Sequence, residues 1–94
     1  MDINIQSIHF DADVKLTEFV KKKVAKLETY NNKVVSSDIF LRVENAGDSA
    51  NKITEIKMNL PGKTLFAKEQ CKTFEEATDL AVESLRKQIG KLKD

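Results

Sequence analysis

The chain has 94 residues, enough for one modest core and too few for a second domain or a deep catalytic cleft. Hydrophobic residues make up 40% and charged residues 33%, which fits a folded domain rather than a disordered one; the net charge of +1 by itself names no nucleic-acid partner. One cysteine, Cys71, and one histidine, His9, exclude an internal disulfide and leave too few ligands for a zinc site.

Residues 2–8 read as a strand, because Ile3 and Ile5 alternate with Asn4 and Gln6. The same alternation is no signal peptide, and nothing in the chain approaches the apolar length of a membrane span. The expectation is a cytoplasmic protein with no membrane partner. Asp11 or Asp13 then offers a helix N-cap, since a carboxylate there accepts bonds from the unpaired amides of a first turn. The spacing of Leu16, Val20, Val24 and Leu27, with Phe19 beside them, predicts a helix over 14–29 with one apolar stripe. Asn31 and Asn32 close it.

Residues 34–44 predict a second strand, with Ile39, Leu41 and Val43 on one face and Phe40, Arg42 and Glu44 on the other. Residues 45–49 form a polar loop. A third strand over 52–60 puts Ile56, Met58 and Leu60 on one face. Pro61-Gly62 signals a tight turn into a fourth strand over 63–70, whose inward set is either Leu65 and Ala67 or Phe66 and a neighbour. Thr73 with Glu76 three residues on is a capping box for a last helix. Phe74, Ala77, Ala81, Leu85, Ile89 and Leu92 form its stripe, and Gly90 weakens its final turn.

The order β-α-β-β-β-α predicts one α+β domain over 1–94. A four-stranded mixed sheet carries both helices on one face, with a parallel pair made by the opening strand–helix–strand unit. Phe40 points to the open face of that sheet.

Enzymatic chemistry finds no purchase. His9 and Cys71 lie on different strands and read as an edge histidine and a buried strand cysteine rather than a catalytic pair, Glu75 and Glu76 are explained by capping and the helix dipole, and the three glycines stand alone. Neither a cofactor nor a small-molecule substrate is expected.

Charge distribution says more than its sum. Lys15 to Lys26 carries five lysines against Glu18, and Arg86 to Asp94 carries four bases against one acid. Between them, Glu75, Glu76, Asp79 and Glu83 are purely acidic, so a near-neutral average hides a basic surface. On a helical wheel Lys15, Lys22 and Lys26 share a stripe, with Lys23 nearer the apolar edge; Lys87 and Lys91 align likewise on the last helix. Both sets fall on the same side of their stripes, at roughly a quarter turn. Side-by-side helices would merge them into one ridge or set them along a groove able to track an RNA backbone. A plain solvated lysine face is the competing reading. No aromatic interleaves the stripe, so phosphate and shape contacts to folded RNA fit better than base stacking.

From Ile3 to about Lys93 the chain resembles the bacterial ribosome hibernation promoting factors, a family that includes the ribosome-associated inhibitor A proteins. The residues that carry this are Asn4-Ile5, Phe19-Val20, Ala25-Lys26-Leu27-Glu28 and Tyr30, then Leu41, Val43 and Glu44, then Lys87-Gln88-Ile89 and Lys91. The resemblance implies the same β-α-β-β-β-α fold, similar in layout to double-stranded-RNA-binding domains. It also implies a partner, the small ribosomal subunit and its ribosomal RNA, bound in the channel for messenger RNA and transfer RNA so that translation stops.

By position, Lys23 and Lys26 match family bases of the first helix and Lys87 and Lys91 those of the last. Lys22 is basic where relatives can be acidic, so its place in the RNA-binding set comes from the wheel. Lys72-Thr73-Phe74 departs from the family's Asp-Met-Tyr and lacks the tyrosine hydroxyl. The chain stops soon after the last helix, which resembles the short type; pairing of ribosomes would then need a separate ribosome modulation factor, or would not occur. Two other readings stay open: a generic structured-RNA-binding module, and a protein-interaction regulator that uses the sheet near Phe40.

Overall fold

In the computed structural model, β1 (Asp2–Ile8) pairs in parallel with β2 (Ser36–Val43), and α1 (Val14–Ala25) carries the chain between them. β3 (Lys52–Leu60) and β4 (Lys63–Cys71) add as antiparallel neighbours in the order β1-β2-β3-β4, and α2 (Phe74–Gly90) closes the fold. Residues 1–44 and 50–92 are described; the expected loop over 45–49 lies outside them. The α+β architecture matches the expected one, with both helices on one face of a four-stranded mixed sheet.

Local chemistry accounts for the elements. Of the two aspartates offered as caps, Asp13 serves: its Oδ1 accepts from the Leu16 amide at 2.8 Å. Thr73 Oγ1 accepts from the Glu76 amide at 3.1 Å at the start of α2. Gly62 takes φ +72° in the hairpin between β3 and β4, a left-handed value that costs glycine nothing. His9 holds φ 63° where β1 turns towards α1, a strained position for a residue with a Cβ.

The core lies between sheet and helices. Val20, Val24 and Leu27 pack with Ile39, Leu41, Ile56, Met58, Leu85 and Ile89, and removing each such side chain from water contributes roughly 1.5–3 kcal/mol. The fourth strand's ambiguity resolves in favour of Leu65 and Ala67, which are buried, while Phe66 is 53% exposed on the open face. Phe10 stacks on Phe74 with centroids 5.0 Å apart, tying the approach to α1 against the start of α2.

The structure departs from the sequence reading in one place and adds two features that the reading did not assign. The first helix does not stay α-helical to residue 29: a 3₁₀ turn covers Lys26–Thr29, where Thr29 Oγ1 donates to the Lys26 carbonyl at 2.7 Å and the Tyr30 amide to that of Leu27 at 3.1 Å. The tighter turn keeps Leu27 fully buried. Ile53 is buried although strand alternation puts it on the open face, in a row with Ile8, Arg42 and Gln70. Thr54 and Thr78 are buried polar residues that satisfy each other, hydroxyl to hydroxyl, at 3.2 Å.

Candidate nucleic-acid interface

The two helices lie side by side and run parallel. Lys23 Nζ on α1 meets Asp79 Oδ1 on α2 at 3.2 Å, and the Arg86 guanidinium of α2 lies 6.0 Å from the ring centroid of Tyr30, which follows the 3₁₀ turn. Both pairs advance along the chain in the same sense, which only parallel axes allow. This follows from topology, because each helix returns antiparallel to a strand and β1 and β4 point the same way.

Parallel axes decide where the lysines go. Equal wheel angles on parallel helices face the same direction, so the α1 set leans towards α2 while the α2 set leans away from α1. Lys23 accordingly sits in the seam, 36% exposed along its side chain and also 5.5 Å from the centroid of the Phe19 ring. Lys87 and Lys91 line a shallow depression on the opposite flank of α2, together with Glu69 of β4 and Leu80. The structure therefore brings Lys22, Lys23 and Lys26 together, and Lys87 with Lys91, but the two groups do not merge into one ridge. The helical body of α2 stands between them.

Lys22, Lys26, Lys87 and Lys91 are exposed and make no ion pair among the described residues. Lys22 and Lys23 fall in the last turn of α1 and Lys87 in that of α2, where the helix macrodipole favours cations. The same placement leaves their ammonium groups available to an anionic partner. Lys23 differs, since a phosphate must first displace Asp79; an exposed pair of this kind is worth only about 0–1 kcal/mol.

Three further cations join the basic end of the molecule. Lys33 lies beside the depression formed by Tyr30, Asn31 and Asn32, and Lys63 beside the adjoining one at the Pro61-Gly62 turn. Arg86 is the third. Its Nη2 and Nε donate to Glu83 at 2.6 and 3.1 Å, and this clamp holds Glu83 below the ordinary carboxylate range and Arg86 above the ordinary guanidinium range. Sequence reasoning did not single out these residues, because Lys33 and Lys63 stand outside the helices and Arg86 faces the seam rather than the Lys87–Lys91 side.

Elsewhere the chemistry is quieter. Cys71 is partly buried, and desolvation followed by the charges of Glu76 and Glu69 pushes its thiol pKa up, which lowers its thiolate fraction. Among the described residues no group of three or more His, Cys, Asp or Glu is arranged to hold a metal, and no helix is long and apolar enough to cross a membrane. On the open sheet face Asp38 accepts from Asn4 and Asn59, each at 3.2 Å, while Arg42 and Lys68 pair with Glu55. Phe40 does point to that face and is half-buried there.

Comparison with known proteins gives a consistent picture. The family described as sigma 54 modulation protein / S30EA ribosomal protein matches residues 3–94. A Pseudomonas putida protein named ribosome hibernation promoting factor is 23% identical over 94 residues, covering all of this chain and 88% of its own. Among solved structures, a ribosomal subunit interface protein from Coxiella burnetii superposes with a TM-score of 0.85 at 22% identity, covering 97% of this chain and 96% of that one. The N-terminal domain of Protein Y from Thermus thermophilus does so at 0.83 and 24% identity, covering 99% of this chain and 100% of that one. At these identities the two structures speak to the fold.

Proposed function

This chain belongs to the sigma 54 modulation protein / S30EA ribosomal protein family, and from that premise we propose that it is a ribosome hibernation factor. It binds the small ribosomal subunit in the channel of messenger RNA and transfer RNA and silences translation by occupancy, with no bond made or broken. The observation that carries the reading is the set Lys22, Lys26, Lys87 and Lys91, exposed and free of ion pairs among the described residues on two parallel helices. Lys23 joins them once phosphate displaces Asp79. Lysines act here as point charges on phosphate oxygens, and each neutralised phosphate releases counterions.

The test is co-sedimentation of the K22E/K26E/K87E/K91E variant with small subunits. These side chains are exposed, so far-ultraviolet circular dichroism should match the parent protein while pelleting is lost. In the parent, four phosphate contacts to structured RNA predict a log–log salt slope of about −3.6. Pelleting of the variant at parental levels would overturn the assignment of the site.

A second reading, a protein-interaction regulator, is favoured by one observation, the aromatic rings of Phe40 and Phe66 on the open sheet face. It predicts a partner whose capture survives lysine reversal and is lost in F66A.

A further inference from the structure

Tyr30 is the sole tyrosine, and the chain has no tryptophan. It follows Lys26 by one helical turn and is 57% exposed at the basic end of the molecule. Arg86 lies over its ring, and the double hydrogen bond to Glu83 fixes the guanidinium plane. Beside the ring opens a depression of about 320 Å³, roughly ten water volumes and larger than a purine ring system. Ile89 and Leu92 give it apolar lining, and Asn31 and Asn32 contribute amide side chains. An adjoining depression of about 350 Å³ shares Asn31, Lys33 and Leu92 and adds Lys63.

We propose that this depression is a docking site for one unpaired nucleobase of an RNA loop or single strand, stacked against Tyr30. The inference rests on the RNA-binding reading above and supplies what the lysines lack, a contact to a base. Each part of the site has a matching part of a nucleotide. An aromatic ring offers a π-face to any base, and stacking of this kind is tolerant of sequence. Asparagine amides carry donors and an acceptor for a base edge, although Asn31 Oδ1 already accepts from the Lys33 amide at 2.9 Å, which leaves its amide nitrogen to donate. Lys26 and Lys33 neighbour Tyr30 in the chain and Lys63 stands on the adjoining depression, so cations flank the site where the phosphates on either side of a docked base would run. Glu28 also lines the depression, but the N-terminal ammonium holds its carboxylate at 2.8 Å, so the charge left to face a docked nucleotide is that of Lys33 and Lys63. Duplex RNA, with its bases buried in the stack, reaches the lysines but not the ring.

Because Tyr30 is the only strong emitter, its fluorescence reports on this one position. The experiment titrates the full chain with a short RNA hairpin carrying an unpaired loop. Two controls are the same hairpin with abasic loop positions and the blunt duplex, and emission is corrected for RNA absorbance. Saturable quenching by the intact loop is expected, with little from either control. Y30A, whose side chain is exposed and whose fold circular dichroism would verify, has no tyrosine left to emit, so its binding is followed, like that of Y30F, by anisotropy of the labelled hairpin; it should bind the loop about thirtyfold more weakly, the middle of the range for one stacked base. Y30F should bind as the parent does, since the ring and not the hydroxyl stacks. Equal binding of loop and duplex with no change in Tyr30 emission would overturn the inference and leave the lysine reading intact. Failure of the parent protein to bind any of the three RNAs or the small subunit would overturn both.

Discussion

Replacing Asp79 by asparagine tests the role of Lys23 more sharply than replacing Lys23 itself. Asp79 and Lys23 pair at 3.2 Å across the seam, with side chains 52% and 36% exposed. A pair this open stabilises by about 0–1 kcal/mol, so D79N should lower Tm by no more than about 4–8 °C. For RNA binding the sign reverses. Any phosphate that reaches Lys23 in the parent protein must first break the pair, and in D79N that cost disappears along with one repelling charge. Binding to small subunits should therefore tighten, by up to roughly fivefold for 1 kcal/mol. The assay is quantitative co-sedimentation, or anisotropy with a labelled hairpin, across a series of salt concentrations. The gain should be largest at low salt, where screening is weakest. A damaged fold does not tighten binding, so a gain cannot be an artefact of misfolding. Unchanged or weaker binding by a fully folded D79N would refute the placement of Lys23 in the interface and leave it a structural tie between the helices.

Two further outcomes probe the fold and its chemistry. T78V leaves the Thr54 hydroxyl buried without its partner and should cost about 1–3 kcal/mol in urea denaturation, whereas the T54V/T78V double variant should recover most of that loss; a double variant as unstable as T78V would show that the hydroxyl pair is not what satisfies the site. Cys71 should react with a disulfide reagent at pH 8 more slowly in the folded protein than in urea, because its raised pKa lowers the thiolate fraction; a folded rate equal to the unfolded one would contradict the burial and the neighbouring carboxylates as causes.

The amino-acid sequence by itself determined what depends on local chemistry. The strand alternation of Ile3 and Ile5, the stripe of Val20, Val24 and Leu27, the cap at Asp13 and the cap at Thr73 are written in periodicity and short-range hydrogen bonding, and they reappear in the structure. The order of elements then left few topologies, so the sheet and its two helices were also legible. The five candidate lysines were visible as wheel positions. Only the tertiary structure decided how those wheels face each other. A wheel gives an angle about its own axis and says nothing about the direction of a neighbouring axis. Parallel helices turned two matching lysine stripes to the same compass point, so Lys87 and Lys91 look away from the seam that holds Lys23. Contacts between residues far apart in the chain, Lys23 with Asp79 and Tyr30 with Arg86, have no local signal at all. Nor does the burial of Ile53, because strand alternation assigns a face and not what covers it.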